Sequence, residues 1–392
     1  MIVDDRQVFN FLPIPTDVHF GAGSIRSLPD HVNKIGGRKV FLVTDPGVRA
    51  AGLADRVIAA LEPAASDVVV YDNVTADSGS ELIREGVETL KNRDADIVVG
   101  VGGGSALDTA KAIAALATNR GSPSDYIGLH KLKVRPLPTI AIPTTAGTGS
   151  EVSLWSVFTD DSRMLKVAIG GVLMYPTIAV CDPDLTMDLP RPLTAATGLD
   201  ALAHAIECYT NNACQPISAA LALEAIRLIA ANLRRAVSTG DRPSRYSMML
   251  ASTMAGMAMN PTRLGLAHAL AMPLGSWDLK IPHGIAIAVT LPKVMAFNWC
   301  AAPDRFVAVA RALGEEVDGC SLQEGAARAA ASVRQLADDV GIPRGLTRFG
   351  LREHHFGDVV EEAMKSGNVA VNPRRTTTEQ LAGILRSTLE PS

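Results

Sequence analysis

The sequence predicts an α/β domain over residues 1–185, followed by an all-helical domain over residues 186–392. In the first half, short β-branched runs alternate with segments of helical periodicity, which is typical of a Rossmann-like parallel sheet flanked by helices. Turn-forming residues, among them Asp182-Pro183-Asp184, cluster near the predicted boundary. Beyond it the pattern is helical, and no comparable strand pattern is found.

Each predicted element follows from its own apolar pattern. Buried strands are predicted at Lys39–Thr44, Val68–Tyr71, Ile97–Gly100 and Thr139–Ile142. Helical periodicity in the first half covers Ala50–Leu61, Ser80–Lys91 and Ala106–Leu116. In the second half it covers Thr194–Tyr209, Ile217–Val237, Tyr246–Asn260, Ile285–Ala296 and Ser321–Val340. We expect a ligand-binding cleft between the two domains, where such sites often lie.

The composition is that of a globular protein with a sizeable core, because 47% of the 392 residues are hydrophobic and 20% are charged. A net charge of -4 and the lack of a Lys/Arg-rich block argue against a nucleic-acid partner. The N-terminus lacks signal-peptide order, and no uninterrupted apolar run reaches about 18 residues, so no membrane partner is expected. Five cysteines without C-x-x-C spacing indicate reduced thiols in a cytoplasmic protein.

A glycine-rich turn follows the strand that begins at Ile97. Gly102, Gly103 and Gly104 allow close approach of a ligand to the backbone, and the helix that begins after them offers amides to a phosphate. Ser105 stands where the dinucleotide fingerprint has its last glycine. The turn therefore predicts a phosphate site, with a tight strand–helix connection as the alternative.

Two further features border this turn in the predicted sheet. The segment from Pro143 to Glu151 places hydroxyls and amides after another strand, at the sheet edge where open α/β sheets bind ligands. Asp45 ends the strand Lys39–Thr44. Its carboxylate can accept a hydrogen bond from a ribose 2′-hydroxyl and would repel a 2′-phosphate, which favours NAD over NADP. The alternative for Asp45 is a turn residue before Pro46.

The second half contains one aspartate and three histidines in apolar surroundings. Asp200 and His204 are four residues apart, so on a helix they lie on one face. His268 and His283 are also flanked by apolar residues. A single buried histidine is usually an ordinary core residue, but one carboxylate with three imidazoles is a ligand set that suits Fe²⁺ or Zn²⁺. We therefore predict a metal site.

These motifs together resemble the iron-containing, metal-dependent alcohol dehydrogenase family. The resemblance runs nearly end to end and rests on motifs that occur in the family's order. They are Gly21-Ala-Gly23, Gly102-Gly-Gly-Ser-Ala-Leu-Asp108, the Pro143–Glu151 loop, the Asp200/His204 helix, Ile281-Pro-His283-Gly and Asn372-Pro-Arg374. The resemblance implies a dehydroquinate synthase-like fold with an NAD-binding domain and a helical metal-binding, catalytic domain.

The resemblance also implies roles for individual residues. The metal ligands, and through the metal the catalytic residues, would be Asp200, His204, His268 and His283. The cofactor NAD would contact Asp45, Gly102, Gly103, Gly104, Ser105, Asp108, Thr144, Thr145 and Lys166. The implied activity is hydride transfer between NAD(H) and a primary alcohol/aldehyde pair, with the substrate oxygen on Fe²⁺, or on Zn²⁺ as the alternative metal. Relatives form homodimers or larger assemblies, so a homo-oligomer is expected.

Related families share this fold. Glycerol dehydrogenases and dehydroquinate synthases also combine a nucleotide domain with a helical metal domain, but the Asp200/His204 pair and the His283 motif favour the iron-type branch. Maleylacetate reductases fit the Gly-Thr-Gly-Ser-Glu151 loop and the four-ligand set less well.

The sequence departs from the family pattern beside the metal ligands. Met272 stands where a second histidine usually relays the alcohol proton, and methionine cannot act as a general base. The spacing from His268 to His283 is one residue longer than in close relatives, and Met259 and Arg263 stand where aromatic and small polar residues are usual. Simple drift is one interpretation. A second is a pocket for an anionic aldehyde, with Arg263 meeting a carboxylate, phosphonate or sulfonate. A third is a non-catalytic metal- or nucleotide-binding relative.

Overall fold

The computed structural model describes Phe9, residues 14–76, 78–277 and 279–389. The chain falls into two compact units, with residues 14–189 in one and the chain from Pro190 onward in the other. The first unit contains every described strand and the second is helical. The predicted fold class, a parallel α/β unit followed by a helical unit, is confirmed.

The α/β unit is built on a six-stranded parallel sheet with the strand order β1-β9-β6-β4-β2-β3. Strand β5 pairs with β8, and β8 pairs with β7, in a second, three-stranded sheet. The strands are β1 Asp17–Phe20, β2 Lys39–Val43, β3 Asp67–Tyr71, β4 Ile97–Gly102, β5 Gly128–Leu129, β6 Thr139–Pro143, β7 Trp155–Asp160, β8 Leu165–Gly170 and β9 Ile178–Cys181.

The alternation of side chains along each strand gives the main sheet two buried faces. In β2, Val40 and Leu42 point into one core, whereas Phe41 and Val43 point into the other. Helices α1 and α3 contribute to the first core, and α4 and α5 to the second. The helices of this unit are α1 Leu28–Ile35, α2 Pro46–Ala50, α3 Leu53–Leu61, α4 Ser80–Asn92 and α5 Gly104–Thr118.

Strands β1, β5 and β9 and helix α1 were not predicted from the sequence, and two further details of this unit also differ from the prediction. The helical pattern Ala50–Leu61 is divided between α2 and α3, because Gly52 has a φ of 71° and interrupts the helix. The antiparallel pair β7–β8 was not predicted. Half-buried and buried residues alternate along β7, and the first four residues of β8 are half-buried, so neither strand is continuously buried as the central strands are.

The helical unit is built around α6, in which fifteen of the twenty residues are buried. Helix α6 packs against α7, α8 and α10. The helices of this unit are α6 Arg191–Thr210, α7 Pro216–Ser238, α8 Arg242–Thr262, α9 Leu266–Leu274, α10 His283–Asn298, α11 Pro303–Ala312, α12 Leu322–Asp339, α13 Phe356–Met364, α14 Gly367–Val371 and α15 Thr378–Arg386. The five helices predicted in this half are all present, with ends that differ by four residues at most.

Two segments of the helical unit are long and apolar enough to cross a membrane by length and composition alone. They are Pro216–Ser238 and His283–Ala301. A core helix of a soluble protein passes the same test, so this is weak evidence for a membrane span.

Candidate metal and dinucleotide sites

One carboxylate oxygen and three imidazole nitrogens converge inside the helical unit. Oδ1 of Asp200 lies 4.0 Å from Nε2 of His204, 3.5 Å from Nε2 of His268 and 3.6 Å from Nε2 of His283. Asp200, His204 and His268 are buried, whereas the His283 side chain is 31% exposed. The four residues predicted as metal ligands are therefore brought together, and one of them is accessible from outside.

Three helices supply these side chains. Asp200 and His204 lie one turn apart on α6, as their spacing predicts, and His268 lies in the first turn of α9. His283 is the first residue of α10. The next residue, Gly284, allows α10 to begin directly against α6, because a Cβ at this position would fall 2.6 Å from the carbonyl oxygen of Ala196. The Pro-His-Gly motif therefore places a histidine at a close contact between helices.

The donor set fits a divalent cation. Oδ1 of Asp200 and Nε2 of His268 are buried and have no hydrogen-bond partner. Such atoms are costly to bury unless a proton donor or a cation satisfies them. Burial alone would raise the pKa of Asp200, but His204, His268 and His283 outweigh it and hold that pKa well below its usual range. One carboxylate with three imidazoles is a donor set for Fe²⁺ or Zn²⁺.

A second buried carboxylate contacts the site from behind His268. Oε2 of Glu207 lies 2.5 Å from Nδ1 of His268, on the side of the ring opposite Nε2. Burial would lower the pKa of His268, but Glu207 and Asp200 raise it to about 9. The ring is thus held between two carboxylates.

The glycine turn lies at the carboxyl end of β4, as predicted. Gly102 pairs with Pro143 of β6, and the amide of Thr144 donates to the carbonyl of Gly102 at 2.9 Å. Gly102 has a φ of 151°, a backbone conformation that other residues rarely adopt. Gly103 precedes α5, a fifteen-residue helix whose first amides are available to an anion.

Side chains from neighbouring strand ends surround this turn. Thr145 lies beside Gly103 and Thr148 beside Gly104, so that a Cβ on either glycine would fill the space between them. Oγ of Ser105 donates to the carbonyl of Ala76 at 2.7 Å. The connection after β3 and the loop after β6 therefore both contact the glycine turn at the end of β4, which is the edge at which open α/β sheets bind ligands.

Asp45 combines two roles. It is the N-cap of α2, where Oδ1 accepts a hydrogen bond from the amide of Val48 at 2.9 Å. Its Oδ2 faces the glycine turn, 3.2 Å from the position that a Cβ on Gly102 would take. The turn-residue interpretation is therefore correct for Oδ1, and Oδ2 remains directed towards the predicted nucleotide site.

Asp108 lies on α5, and its carboxylate is bonded to other residues of the same unit. Its carboxylate accepts hydrogen bonds from Oγ of Ser150 at 2.5 Å and from the amide of Val157 at 3.0 Å, and it pairs with Nζ of Lys111 at 3.1 Å. Lys111 is fully buried and also donates to the carbonyls of Ser150 and Trp155. Burial lowers the pKa of Lys111, and Asp108 opposes this effect. The pair joins α5 to the end of the loop that begins at Pro143.

Lys166 lies on β8, opposite Thr159 of β7. The amide of Thr159 donates to the carbonyl of Ser78, and Thr159 forms a bridge with Gly79. Lys166 is thus placed beside the connection that follows β3, on the same unit as the glycine turn.

The departures from the family pattern have defined positions in the helical unit. Met272 lies one turn after His268 on α9 and is partly exposed, although the residues on either side of it are buried. Arg263 ends α8 with a φ of 59°, and its guanidinium packs against Gly367. Trp277 and Lys280, which lie between His268 and His283 where the extra residue is predicted, both have positive φ.

Three residues that were not predicted individually from the sequence lie at these sites: Glu207, Lys111 and Thr148. Glu207 is three residues after His204 and lies on the same side of α6, in a buried stretch in which the only other charged residue is Asp200, and this spacing indicates a contact with the site. Lys111 is likewise the one basic residue of the alanine-rich α5. Thr148 lies in the loop that was selected as a whole.

Comparisons with known proteins cover both units. The family described as iron-containing alcohol dehydrogenase matches residues 15–183, and its C-terminal family matches residues 194–389. A 1,3-propanediol dehydrogenase of Citrobacter freundii is 40% identical over 385 residues, which cover 97% of this chain and 98% of that protein. A crystal structure of 1,3-propanediol oxidoreductase superposes with a TM-score of 0.95 at 38% identity, covering 98% and 100% of the two chains.

A sulfoacetaldehyde reductase from Bifidobacterium kashiwanohense, crystallised with NAD⁺, is 30% identical, with a TM-score of 0.87 and coverage of 97% and 99%. The predicted function class, NAD-dependent oxidoreduction of alcohols, and the predicted cofactors, NAD and iron, are confirmed by these matches. The chain therefore belongs to the family of iron-containing alcohol dehydrogenases.

Proposed function

We propose that this protein interconverts a primary alcohol and its aldehyde with NAD(H), and that Asp200, His204, His268 and His283 hold the ferrous ion. The observation that supports this most strongly is the convergence of three imidazole nitrogens within 4.0 Å of one buried carboxylate oxygen. When bound, Fe²⁺, or Zn²⁺ in its place, supplies Lewis acidity towards the substrate oxygen, and NAD supplies or accepts the hydride.

The side chains of the metal site have separate tasks in this proposal. Asp200 supplies a negative charge, and His204 and His268 are buried together with it, so these three side chains are shielded from solvent. His283 is the exposed member, so we assign the open side of the site, where an alcohol enters, to its position. An open position beside protein ligands is the feature that distinguishes catalytic from structural metal sites.

We further propose that the glycine turn binds the pyrophosphate of NAD. Its support is the set of backbone amides at the start of α5, together with the close approach that Gly103 and Gly104 permit. Ser105, Thr144 and Thr145 would lie beside the cofactor at the same turn, and Lys166 would contact the ribose. Asp108 is assigned the task of anchoring this region, since its carboxylate already has three partners.

Asp45 is proposed to select NAD over NADP. Its Oδ2 is directed towards the glycine turn, and a carboxylate there repels a 2′-phosphate and accepts a hydrogen bond from a 2′-hydroxyl.

The test is an anaerobic assay of the purified protein reconstituted with Fe²⁺ or with Zn²⁺. NADH absorbance is followed with a panel of neutral and anionic short-chain aldehydes, and the protein is also titrated with NADH alone. We expect turnover that a chelator abolishes and that His268→Ala lacks. His355→Ala, which removes a partly exposed histidine on the same unit, is the matched control and should retain turnover. If NADH binds but every aldehyde fails with both metals, the non-catalytic alternative replaces this proposal.

A second candidate is reduction of an anionic aldehyde at the same site. The observation that favours it is the likeness to the sulfoacetaldehyde reductase. Arg263 would meet the anionic group, although its guanidinium lies against Gly367. Arg263→Gln should then lower kcat/KM for anionic aldehydes more than for neutral ones. An equal loss for both classes would rule out this candidate.

Two properties of the whole protein complete the proposal. We infer a cytoplasmic enzyme, which the five free cysteines support, because such thiols persist in reducing compartments. We also infer a homo-oligomer, a dimer or larger, from the resemblance to the family. Size-exclusion chromatography with light scattering measures the second property directly.

A further inference from the structure

Glu207 is a buried carboxylate that the proposed chemistry does not use. It lies on α6, three residues after His204, and is 4% exposed. Its Oε2 contacts Nδ1 of His268 at 2.5 Å and accepts the amide of Gly265 at 2.9 Å. Its Oε1 accepts the amide of Ala267 at 2.7 Å. Both oxygens therefore face donors, and these three contacts all lie at the start of α9.

The chain makes room for this carboxylate with a glycine. A Cβ on Gly265 would fall 2.7 Å from Oε1 and 3.0 Å from Cδ of Glu207. The backbone of Gly265 has a φ of -146°, which any residue adopts, so the glycine is required for space alone. Because Glu207 is held by three hydrogen bonds, it cannot move aside at low cost.

This arrangement determines which nitrogen of His268 faces Asp200. An ionised carboxylate only accepts hydrogen bonds, so the Nδ1 that contacts Glu207 must carry a proton. In the neutral ring the lone pair is then on Nε2, which lies 3.5 Å from Oδ1 of Asp200. The charges also balance, because Asp200 and Glu207 together carry the two negative charges that a divalent cation neutralises in a buried site.

We propose that Glu207 is a positioning residue for the metal, acting through His268 by fixing its orientation and tautomer and by supplying the second negative charge of the site. The inference rests on the proposed metal site. Carboxylate–histidine–metal arrangements of this kind typically change metal affinity 10–100-fold when the outer carboxylate is lost. The competing role is structural: Glu207 accepts two amides at the start of α9 and so also caps that helix.

Glu207→Gln separates these roles. Glutamine is nearly isosteric with glutamate. However, both oxygens of Glu207 accept hydrogen bonds, so the NH2 group of glutamine would have to face a donor in place of one of them. Metal affinity of the apo-protein is measured by competition with a chromophoric chelator, for Zn²⁺ and for Co²⁺, whose visible spectrum also reports the ligand geometry. We expect binding weakened by roughly 10–100-fold, an altered Co²⁺ spectrum, and unchanged NADH binding.

Asp182→Asn is the matched control. Asp182 is also fully buried and accepts three backbone amides, from Gly23, Ile25 and Asp184, but it contacts no histidine ligand and belongs to the α/β unit. This variant should lose stability and keep the metal affinity of the wild type. Gly265→Ala provides a second approach to the same contact, because it displaces Glu207 without changing its charge, and it should weaken metal binding as well.

The outcomes are distinct. If Glu207→Gln lowers the unfolding temperature but binds Zn²⁺ and Co²⁺ within twofold of the wild type, Glu207 is only a helix cap and the inference is wrong. If Glu207→Gln does not fold, unchanged affinity in Gly265→Ala contradicts the inference in the same way. If the wild type itself binds neither metal, the proposed function fails instead.

Discussion

Asp45 shows how one side chain serves both the fold and a proposed specificity. One oxygen caps α2, and the other is directed towards the glycine turn. A substitution that removes the charge and retains the cap therefore tests the specificity alone. Serine is such a residue, because its hydroxyl is a strong N-cap acceptor.

We expect Asp45→Ser to raise the ratio of kcat/KM for NADPH to that for NADH by roughly tenfold or more, equivalent to about 1.4 kcal/mol, because the repulsion of the 2′-phosphate is removed. Steady-state kinetics with the two coenzymes measure this ratio. Asp55→Ser removes an exposed carboxylate ten residues away and should leave it unchanged. A ratio that stays at the wild-type value in Asp45→Ser would assign Asp45 to the helix cap alone.

At the scale of elements, the Asp108–Lys111 pair anchors α5 to the loop after β6 and to β7. Lys111 is fully buried and donates to loop carbonyls, so removing it leaves the carboxylate of Asp108 without its cation. Removing one partner of a buried ion pair typically costs about 3–5 kcal/mol. The loss in the free energy of unfolding should be smaller when both partners are neutralised together.

We therefore expect Lys111→Met to lower the free energy of unfolding by about 3–5 kcal/mol, and the double variant Lys111→Met/Asp108→Asn to lose less than the sum of the two single variants. Urea denaturation followed by circular dichroism measures each term of this double-mutant cycle. Strict additivity would show that the two side chains act independently. Titration with NADH should also show weaker binding in Lys111→Met, because the anchored loop lines the proposed nucleotide site.

Helix α12 offers a simpler test of local structure. Oγ of Ser321 accepts the amide of Glu324, whose side chain in turn accepts the amide of Ser321, so the two residues form a capping box. Ser321→Ala should lower the free energy of unfolding by about 1 kcal/mol, with no change in metal or NADH binding. Ser321→Asp, which keeps a capping oxygen, should restore most of the loss. Equal losses in the two variants would contradict a capping role.

The elements that could be predicted from sequence are those whose pattern is local. The Asp200/His204 pair could be predicted because a four-residue spacing between polar residues in an apolar stretch of a helix is a local property of the sequence. Glu207 was not selected, because its partner His268 is 61 residues away and only packing shows their contact. Helix α9 was not predicted as an element, since it has nine residues, all apolar except His268, and contains Pro273, so it lacks amphipathic periodicity.

For the whole molecule, metal binding and stability should be coupled. The proposed ligands come from α6, α9 and α10, so a cation joins three helices that the unfolded chain cannot hold together. A cation at a hundredfold excess over its Kd stabilises the folded state by about 2.7 kcal/mol.

We expect a chelator to lower the midpoint of thermal unfolding by several degrees, and Zn²⁺ or Fe²⁺ to restore it. Differential scanning fluorimetry under anaerobic conditions measures the shift. His268→Ala should have a low midpoint that responds neither to chelator nor to metal. A wild-type midpoint that is insensitive to chelator would contradict the coupling.

The separation of the ligands along the chain also constrains how the enzyme matures. Asp200 and His283 are the first and last of the four proposed ligands along the chain. The third, His268, lies on α9, whose first amides donate to the carboxylate of Glu207 on α6. During synthesis, therefore, α6 is complete long before the last histidine has left the ribosome, and no four-ligand site exists until α9 and α10 have both docked. Binding of the metal by all four proposed ligands is then possible only after the last of these helices has docked, so helix docking as well as metal supply would set the rate at which newly made protein becomes active.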